Sequence, residues 1–598
     1  MKNDKKDKTM IKGGHKMAWY DEAVFYHIYP LGLAGAPKEN AYGEPEHRLN
    51  TLLPWIDHIR SIGCNAIYIG PLFESVGHGY ETTDYKKLDS RLGDNEDLKN
   101  FVAECHKKEI RVIFDGVFNH TGRDFFAFKD IKEKREGSQY KDWYCNVNFW
   151  GNNEYNDGFS YDNWGGYNLL VKLNQRNPAV KDYICDVIRF WVSEFDVDGI
   201  RLDAADVLDF DFMKALRHVA NEVKPDFWLM GEVIHGDYSR WVNEGTLHSV
   251  TNYQLHKALY SGNNDHNFFE IAHTVKRLYE MGSNNPNGFK LYNFVDNHDV
   301  ERIYTKLNNK AHFTPVHILL YTLPGIPSLY YGSEFGIEGR KEKFSDDSLR
   351  PALNLDDYKN ALTDNSFTAL IAALGRIRQQ SKALSYGDYR ELKLMNRQYA
   401  FSRNFEGESV VVTVNNDDSD FTMTVPAGNA AEYAGALSGQ KVRVENGNIC
   451  VNVKANSGEI WLPVTDQTAS RLSDVTPVEL HVEDAVKTAV APATEKAPEK
   501  APDNHDADPK APEKASHDNS AATKESDPAA AKATATAAVP AAKAPETSED
   551  FERGKIAGLQ EAIIAIMEKN GPVTDQMRKD VTDNVYHDSL INWIKSFR

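Results

Sequence analysis

The chain has 598 residues, 41% of them hydrophobic, and a formal net charge of −19. That length allows a large core and at least one further domain, while the acidic balance excludes phosphate-backbone binding, so no nucleic acid is expected as a partner. Five cysteines without a C-x-x-C pair exclude a disulfide scaffold and a zinc ribbon, and no run is apolar enough to span a bilayer.

Residues 1–17 are lysine-rich with no apolar stretch behind them, which reads as a disordered leader rather than a secretory signal and places the protein in the cytoplasm. From Val24 to about Gly336, short β-branched and aromatic runs alternate with amphipathic stretches, the texture of repeated βα units. Eight runs qualify as strands, beginning at Val24, Ala66, Arg111, Asp198, Phe227, Ser249, Leu291 and Ile326. Eight parallel strands suit a closed (β/α)8 barrel, an α/β fold.

Between the strands, Leu98, Phe101, Val102 and Cys105 share one helical face, as do Val180, Tyr183, Ile184, Val187, Ile188, Trp191 and Val192. The barrel is expected over 18–120 and 169–380, interrupted at 121–168 by a Gly-, Asn- and aromatic-rich stretch too long for an ordinary βα loop. That stretch reads as a small inserted domain beside the pocket. Alternating runs over 381–465 predict an antiparallel β-sandwich. Residues 466–549 shift to Ala, Pro, Lys and Glu and predict a flexible linker. Residues 550–598 regain helical periodicity and predict a small helical tail, suited to self-association or to docking on a protein partner.

Several strands end in charge: Asp115-Gly-Val-Phe-Asn-His120, Gly199-Ile-Arg-Leu-Asp203, Gly231-Glu232 and Val295-Asp-Asn-His-Asp299. In a barrel the carboxyl ends of the strands converge on one pocket, so acids distant in sequence meet there. Asp203 and Glu232 close consecutive strands about 4.8 Å apart, near the spacing that a retaining glycosidase needs between its two carboxyls. Arg201 lies two positions before Asp203 on the same strand face, placed to pair with it and keep it ionised.

Taken in order, these segments resemble the α-amylase family, glycoside hydrolase family 13, over about Val24 to Val464. The resemblance implies that Asp203 is the nucleophile, Glu232 the general acid/base and Asp299 the transition-state stabiliser. It further implies that Tyr80, Asp115, His120, Arg201 and His298 hold the oligosaccharide substrate. Gly325-Ile-Pro-Ser-Leu-Tyr-Tyr-Gly-Ser-Glu334 resembles the family's eighth-strand motif, and LVKLN ending at Asn174 resembles the M-P-K-L-N of neopullulanases, cyclomaltodextrinases and maltogenic amylases. That group's N-terminal domain is not expected here, because the barrel begins almost at once.

Two departures qualify the resemblance: Glu81 replaces the family's usual Asp, and Asp206-Val207 replaces the Lys-His pair of many amylases, which argues against a long-starch endo-amylase. The activity implied is hydrolysis of α-glucosidic bonds in maltodextrins, cyclodextrins or pullulan. A transglycosylating or isomerising enzyme of the trehalose synthase or sucrose phosphorylase type, and an inactive amylase-like binding scaffold, remain alternatives. No cofactor is required by this chemistry. Asn119 matches a calcium-holding position of many amylases, which leaves calcium open, with the remaining ligands to come from the insertion.

Overall fold

The computed structural model describes residues 17–282, 288–343, 345–466, 468–472 and 475–486, together with isolated positions from 560 onward. The expected leader up to residue 16, most of the linker and nearly all of the helical tail lie outside the described residues.

Eight strands form the barrel: β1 (Phe25–Ile28), β2 (Ala66–Ile69), β3 (Arg111–Gly116), β4 (Gly199–Leu202), β5 (Trp228–Gly231), β6 (Ser249–Val250), β7 (Tyr292–Asn293) and β8 (Ile326–Tyr330). All eight fall within the runs expected from sequence. Neighbours pair in parallel in chain order, and β8 returns to β1. A parallel bridge between Thr251 and Tyr292, with the Asn252 N–H donating to Tyr292 O at 2.9 Å, closes the circle between β6 and β7. The strands are short and buried on both faces because helices cover the outside, which is why apolar runs rather than alternation mark them.

The barrel interior is filled. Trp228 stacks on Phe25 with ring centroids 5.1 Å apart and on Tyr20 at 5.8 Å, and Ile113, Met230, Tyr292 and Ile326 complete the plug. Cutting Trp228 to Ala would empty this floor at a cost of about 3–5 kcal/mol. Substrate can therefore sit only at the end of the barrel where the strands terminate.

The outer helices carry the predicted faces. α1 (Asn95–Lys107) starts at Asp94, whose carboxylate accepts from the Glu96 and Asp97 N–H groups, and it buries Leu98, Phe101, Val102 and Cys105. α2 (Pro178–Phe195) has Asn177 as its cap and Pro178 at its first position, and it stops where Asp196 turns left-handed. It buries Val180, Ile184, Val187, Ile188 and Trp191, while Tyr183 and Val192 pack at the edge.

The insertion extends past residue 168: strand Tyr167–Lys172 pairs antiparallel with His120–Thr121 and with Asn163–Trp164, so its small sheet grows directly out of the end of β3. The C-terminal domain is antiparallel throughout, a six-stranded sheet and a two-stranded sheet of Phe421–Pro426 and Asn448–Val453. Met423, Val425, Ile449 and Val451 from the smaller sheet meet Ala400, Val411 and Trp461 from the larger one in one core.

The expected linker begins later than residue 466. Residues 475–486 run back along the barrel, with Val478, Leu480, Val482 and Val486 packed against the core. The alternating apolar positions of VTPVELHV just before the Ala/Pro-rich stretch account for the difference, since they supply surface that the linker composition lacks.

Candidate active site

The registers of β3, β4 and β5 assemble the site. Asp115 lies opposite Arg201, and Gly231 lies opposite Leu202, so Asp203 and Glu232 are the next residues off adjacent strand ends. Backbone bonds fix both: the Asp203 N–H donates to Gly116 O at 3.1 Å and the Glu232 N–H to Leu202 O at 2.9 Å.

Beneath them, Arg201 serves three carboxylates. Its Nη1 donates to Asp115 Oδ1 at 2.8 Å and Asp203 Oδ1 at 2.9 Å, and its Nη2 pairs with Glu232 Oε2 at 2.8 Å. The Arg201 side chain is 3% exposed against 11% for Asp203 and 13% for Glu232, so the cation lies under the pocket and the acids reach into it. After Asp203 the chain turns through Ala204 at φ +47°, a left-handed conformation costing a non-glycine residue about 1 kcal/mol. The turn aims the Ala204 N–H at Glu232 Oε2, 3.1 Å away, while Tyr253 Oη donates to Glu232 Oε1 at 3.4 Å.

One cation is shared among three carboxylates. Burial pushes the Asp203 carboxyl well above the usual range; Arg201 opposes this, while Glu232 and Asp115 push the same way as burial. The expectation that Arg201 keeps Asp203 ionised is thus corrected: one guanidinium divided three ways does not offset desolvation. The carboxylates of Glu232 and Asp115, sharing the same guanidinium, add their repulsion to the burial of Asp203.

The opposite wall reverses the sign. Burial raises the Asp299 carboxyl, but His298, whose Nε2 is 3.0 Å away, and Arg350, at 3.0 Å, outweigh it and hold Asp299 well below the usual carboxylate range. Tyr80 links the two walls, its Oη donating to Asp115 Oδ2 at 3.1 Å and bonding His298 Nε2. The Tyr80 and His298 rings also stack, 5.7 Å apart. His120 donates from Nε2 to Tyr80 O at 3.1 Å, and burial lowers it to about 4, so it is neutral near pH 7. All eight residues singled out in the sequence thus fall in one connected network.

Glu81 supports this network from behind, accepting from the Gly79 N–H at 3.1 Å and meeting His78 Nε2 at 3.1 Å. Gly79 has φ +99° and a Cβ there would lie 2.2 Å from Pro71 Cγ, so the turn that presents Tyr80 requires glycine.

Several contributors were not visible in the sequence. Arg350 comes from the loop after β8, and Tyr68, which donates to Asp115 Oδ2 at 2.8 Å, was read only as part of a strand. A tyrosine amid the inward-facing positions of β2 was the one available signal for Tyr68; Arg350 and Tyr253 had none. Of the insertion aromatics Trp143, Trp150, Tyr155, Tyr161 and Trp164, Trp164 approaches the network, 6.0 Å from the His120 ring and 39% exposed. Trp143 packs on Tyr183 at 5.5 Å, Tyr161 is buried, and Tyr155 lies under Arg123 at 3.8 Å.

Comparison with known proteins agrees with the fold. Residues 48–369, more than half of the chain, match the alpha amylase catalytic domain, and residues 387–461 match the alpha-amylase C-terminal domain. The chain belongs to the α-amylase family. Within that family it is 32% identical over 421 residues to a cyclomaltodextrinase of Thermoanaerobacter pseudethanolicus, covering 67% of this chain and 71% of the relative. It is 30% identical over 473 residues to neopullulanase 2 of Thermoactinomyces vulgaris, covering 74% and 78%. A solved cyclomaltodextrinase structure superposes with a TM-score of 0.66 at 27% identity, covering 74% of this chain and 78% of that one.

Asn119, which the resemblance sets at a calcium-holding position, has amide and imidazole neighbours. Gln175 Oε1 accepts the Asp209 N–H at 2.6 Å, which turns the Gln175 amide nitrogen toward Asn119 Oδ1 at 3.3 Å. The Asn119 side chain, fully buried, also faces His120 Nδ1 at 3.2 Å. An N–H donor thus points where a cation would need an oxygen ligand. Among the described residues no helix is long and apolar enough to cross a membrane.

Proposed function

We propose that this chain is a retaining hydrolase of α-glucosidic bonds in short α-glucans: maltooligosaccharides, cyclodextrins and pullulan fragments. The observation that carries the proposal is the Arg201 fork, which spans Asp203 and Glu232 at 2.9 and 2.8 Å. Two carboxyls gripped by one guanidinium suit the roughly 5 to 5.5 Å of a retaining enzyme, not the roughly 6.5 to 9.5 Å gap that an inverting enzyme keeps for water.

In the first half-reaction the Asp203 carboxylate attacks the anomeric carbon while the Glu232 carboxyl gives its proton to the glycosidic oxygen. The C–O bond breaks, the leaving sugar departs as an alcohol, and a glycosyl ester forms on Asp203. In the second, Glu232 takes a proton from water, the oxygen of that water attacks the anomeric carbon, and the ester bond breaks to restore Asp203. The attack needs Asp203 ionised, and the Arg201 guanidinium 2.9 Å away favours that form. Asp299, kept ionised by His298 and Arg350, faces the positive charge that develops on the sugar. Tyr80, partly exposed and backed by the buried His298 ring, supplies a flat apolar face for the sugar.

The names of the similar proteins, cyclomaltodextrinase and neopullulanase, support the choice of substrates. Incubation with maltotriose, β-cyclodextrin and pullulan tests it: glucose, maltose or panose is expected, with the product anomer retained on first release. No product from any of the three would overturn the reading, and trehalose from maltose, or glucose 1-phosphate from sucrose and phosphate, would replace hydrolysis by transfer.

A further inference from the structure

Residues 475–486 follow the second of the two matched family segments, which ends at 461, and neither match covers them. Yet they bond to both sides of the Asp299 wall. Val482 O accepts from Tyr304 Oη at 3.3 Å, in the short helix Ile303–Lys306 that follows Asp299, and the Val486 N–H donates to Phe335 O at 3.1 Å, in the loop that follows β8. Between these points Asp484 holds the start of α3 (Ser366–Gln380): its Oδ2 accepts from the Ser366 N–H at 3.2 Å and its carbonyl accepts from Asn365 Nδ2 at 3.0 Å.

From Phe335 the contacts lead into the site. Two residues earlier, Ser333 donates to Asp296 Oδ2 at 2.8 Å, and Arg302 binds Ser333 Oγ at 3.2 Å and Leu349 O at 3.0 Å. Asp296 opens the segment that ends in Asp299, and Leu349 precedes Arg350. The loop carrying Arg350 and the segment carrying Asp299 are therefore held by one set of bonds, with the segment 475–486 closing it from outside.

We propose that residues 475–486 are a strap that positions Arg350 against Asp299, with the Val486 N–H and the Asp484 carboxylate as its positioning groups. This rests on the role given to Asp299 above. The strap acts through geometry: loosening Phe335 lets the β8 loop, and with it the Arg350 guanidinium, drift from a carboxylate that must stay ionised and aimed.

Full-length variants test it. Val486→Pro deletes the strap's own donor to Phe335 O and leaves that carbonyl the longer bond from Asn365 Nδ2 at 3.4 Å, and Ala485 already has φ −60° and ψ 129°, which a following proline tolerates. With maltotriose, Val486→Pro and Asp484→Ala should each lower kcat about tenfold with KM changed less than threefold, an effect of roughly 1.4 kcal/mol on the barrier. Val486→Ala, which keeps the N–H, and Asp484→Asn, which keeps the capping oxygen, should restore kcat. In an Arg350→Ala background the Val486→Pro effect should vanish, because both changes then act on one interaction. Wild-type kcat in Val486→Pro and Asp484→Ala, or effects that simply add to Arg350→Ala, would overturn the strap while leaving the hydrolase reading intact. An inactive wild type would remove both.

Discussion

The Arg350 guanidinium lies 3.0 Å from the Asp299 carboxylate and also donates to the His298 carbonyl at 3.0 Å, although 51 residues separate it from Asp299 in the chain. Removing it in Arg350→Ala takes away one of the three charges, with His298 and Arg201, that hold Asp299 down. The Asp299 carboxyl then moves up toward the ordinary range, so the acid limb of the kcat/KM profile should shift to higher pH, and kcat should fall about a hundredfold, near 2.7 kcal/mol. The stability sign follows. A depressed carboxyl contributes stability above its unfolded value near 4 that is lost as pH falls, so thermal unfolding of the variant should depend less on pH on the acid side.

Asp203→Asn separates catalysis from stability. Turnover should fall at least about a thousandfold, roughly 4 kcal/mol, with loss of the nucleophile. Asp203 is raised by burial, so above its unfolded value its carboxyl opposes folding. Replacing it should raise the melting temperature at pH 7, with the gain shrinking as pH falls and the wild-type carboxyl protonates. A variant less stable than wild type at pH 7 would mean that Arg201 offsets burial after all.

Calcium removal should leave the protein unchanged. With the Gln175 amide nitrogen directed at Asn119 Oδ1, dialysis against EDTA is expected to keep both the melting temperature and maltotriose turnover, measured by calorimetry and product release. A drop in melting temperature that added calcium reverses would show that this pair opens to admit a cation.

Trp164 stands beside His120 at the edge of the network, on a hairpin turned by Gly165 and Gly166 at φ +62° and +86°. If its face carries a sugar ring, Trp164→Ala should raise KM for β-cyclodextrin about tenfold, the stacking scale of roughly 1.4 kcal/mol, and leave kcat within twofold. An unchanged KM with a lower melting temperature would assign Trp164 to packing.

The barrel and its acids were legible because the signals were local: buried parallel strands are short apolar runs, and a charge ending such a run stands out. Asp115, Arg201, Asp203 and Glu232 could be placed together by register alone. The partners that decide their behaviour were not local. Arg350 arrives from a loop without periodicity, Tyr253 from the first position of a helix, and the division of Arg201 among three carboxylates depends on rotamers that no spacing encodes. The strap was hidden by its neighbours, since a dozen residues of weak alternation precede a long stretch whose composition cannot bury a core. Asp206 and Val207, the departure that argued against a starch enzyme, sit exposed in the turn Ala205–Val207, where burial and the nearby Glu232 carboxylate push the Asp206 carboxyl up.

Trp228, stacked between Phe25 and Tyr20, closes the barrel from below. A glucan therefore cannot be drawn down the barrel axis as a thread through a bead; chains and cleaved pieces alike come and go across the face where the strands end.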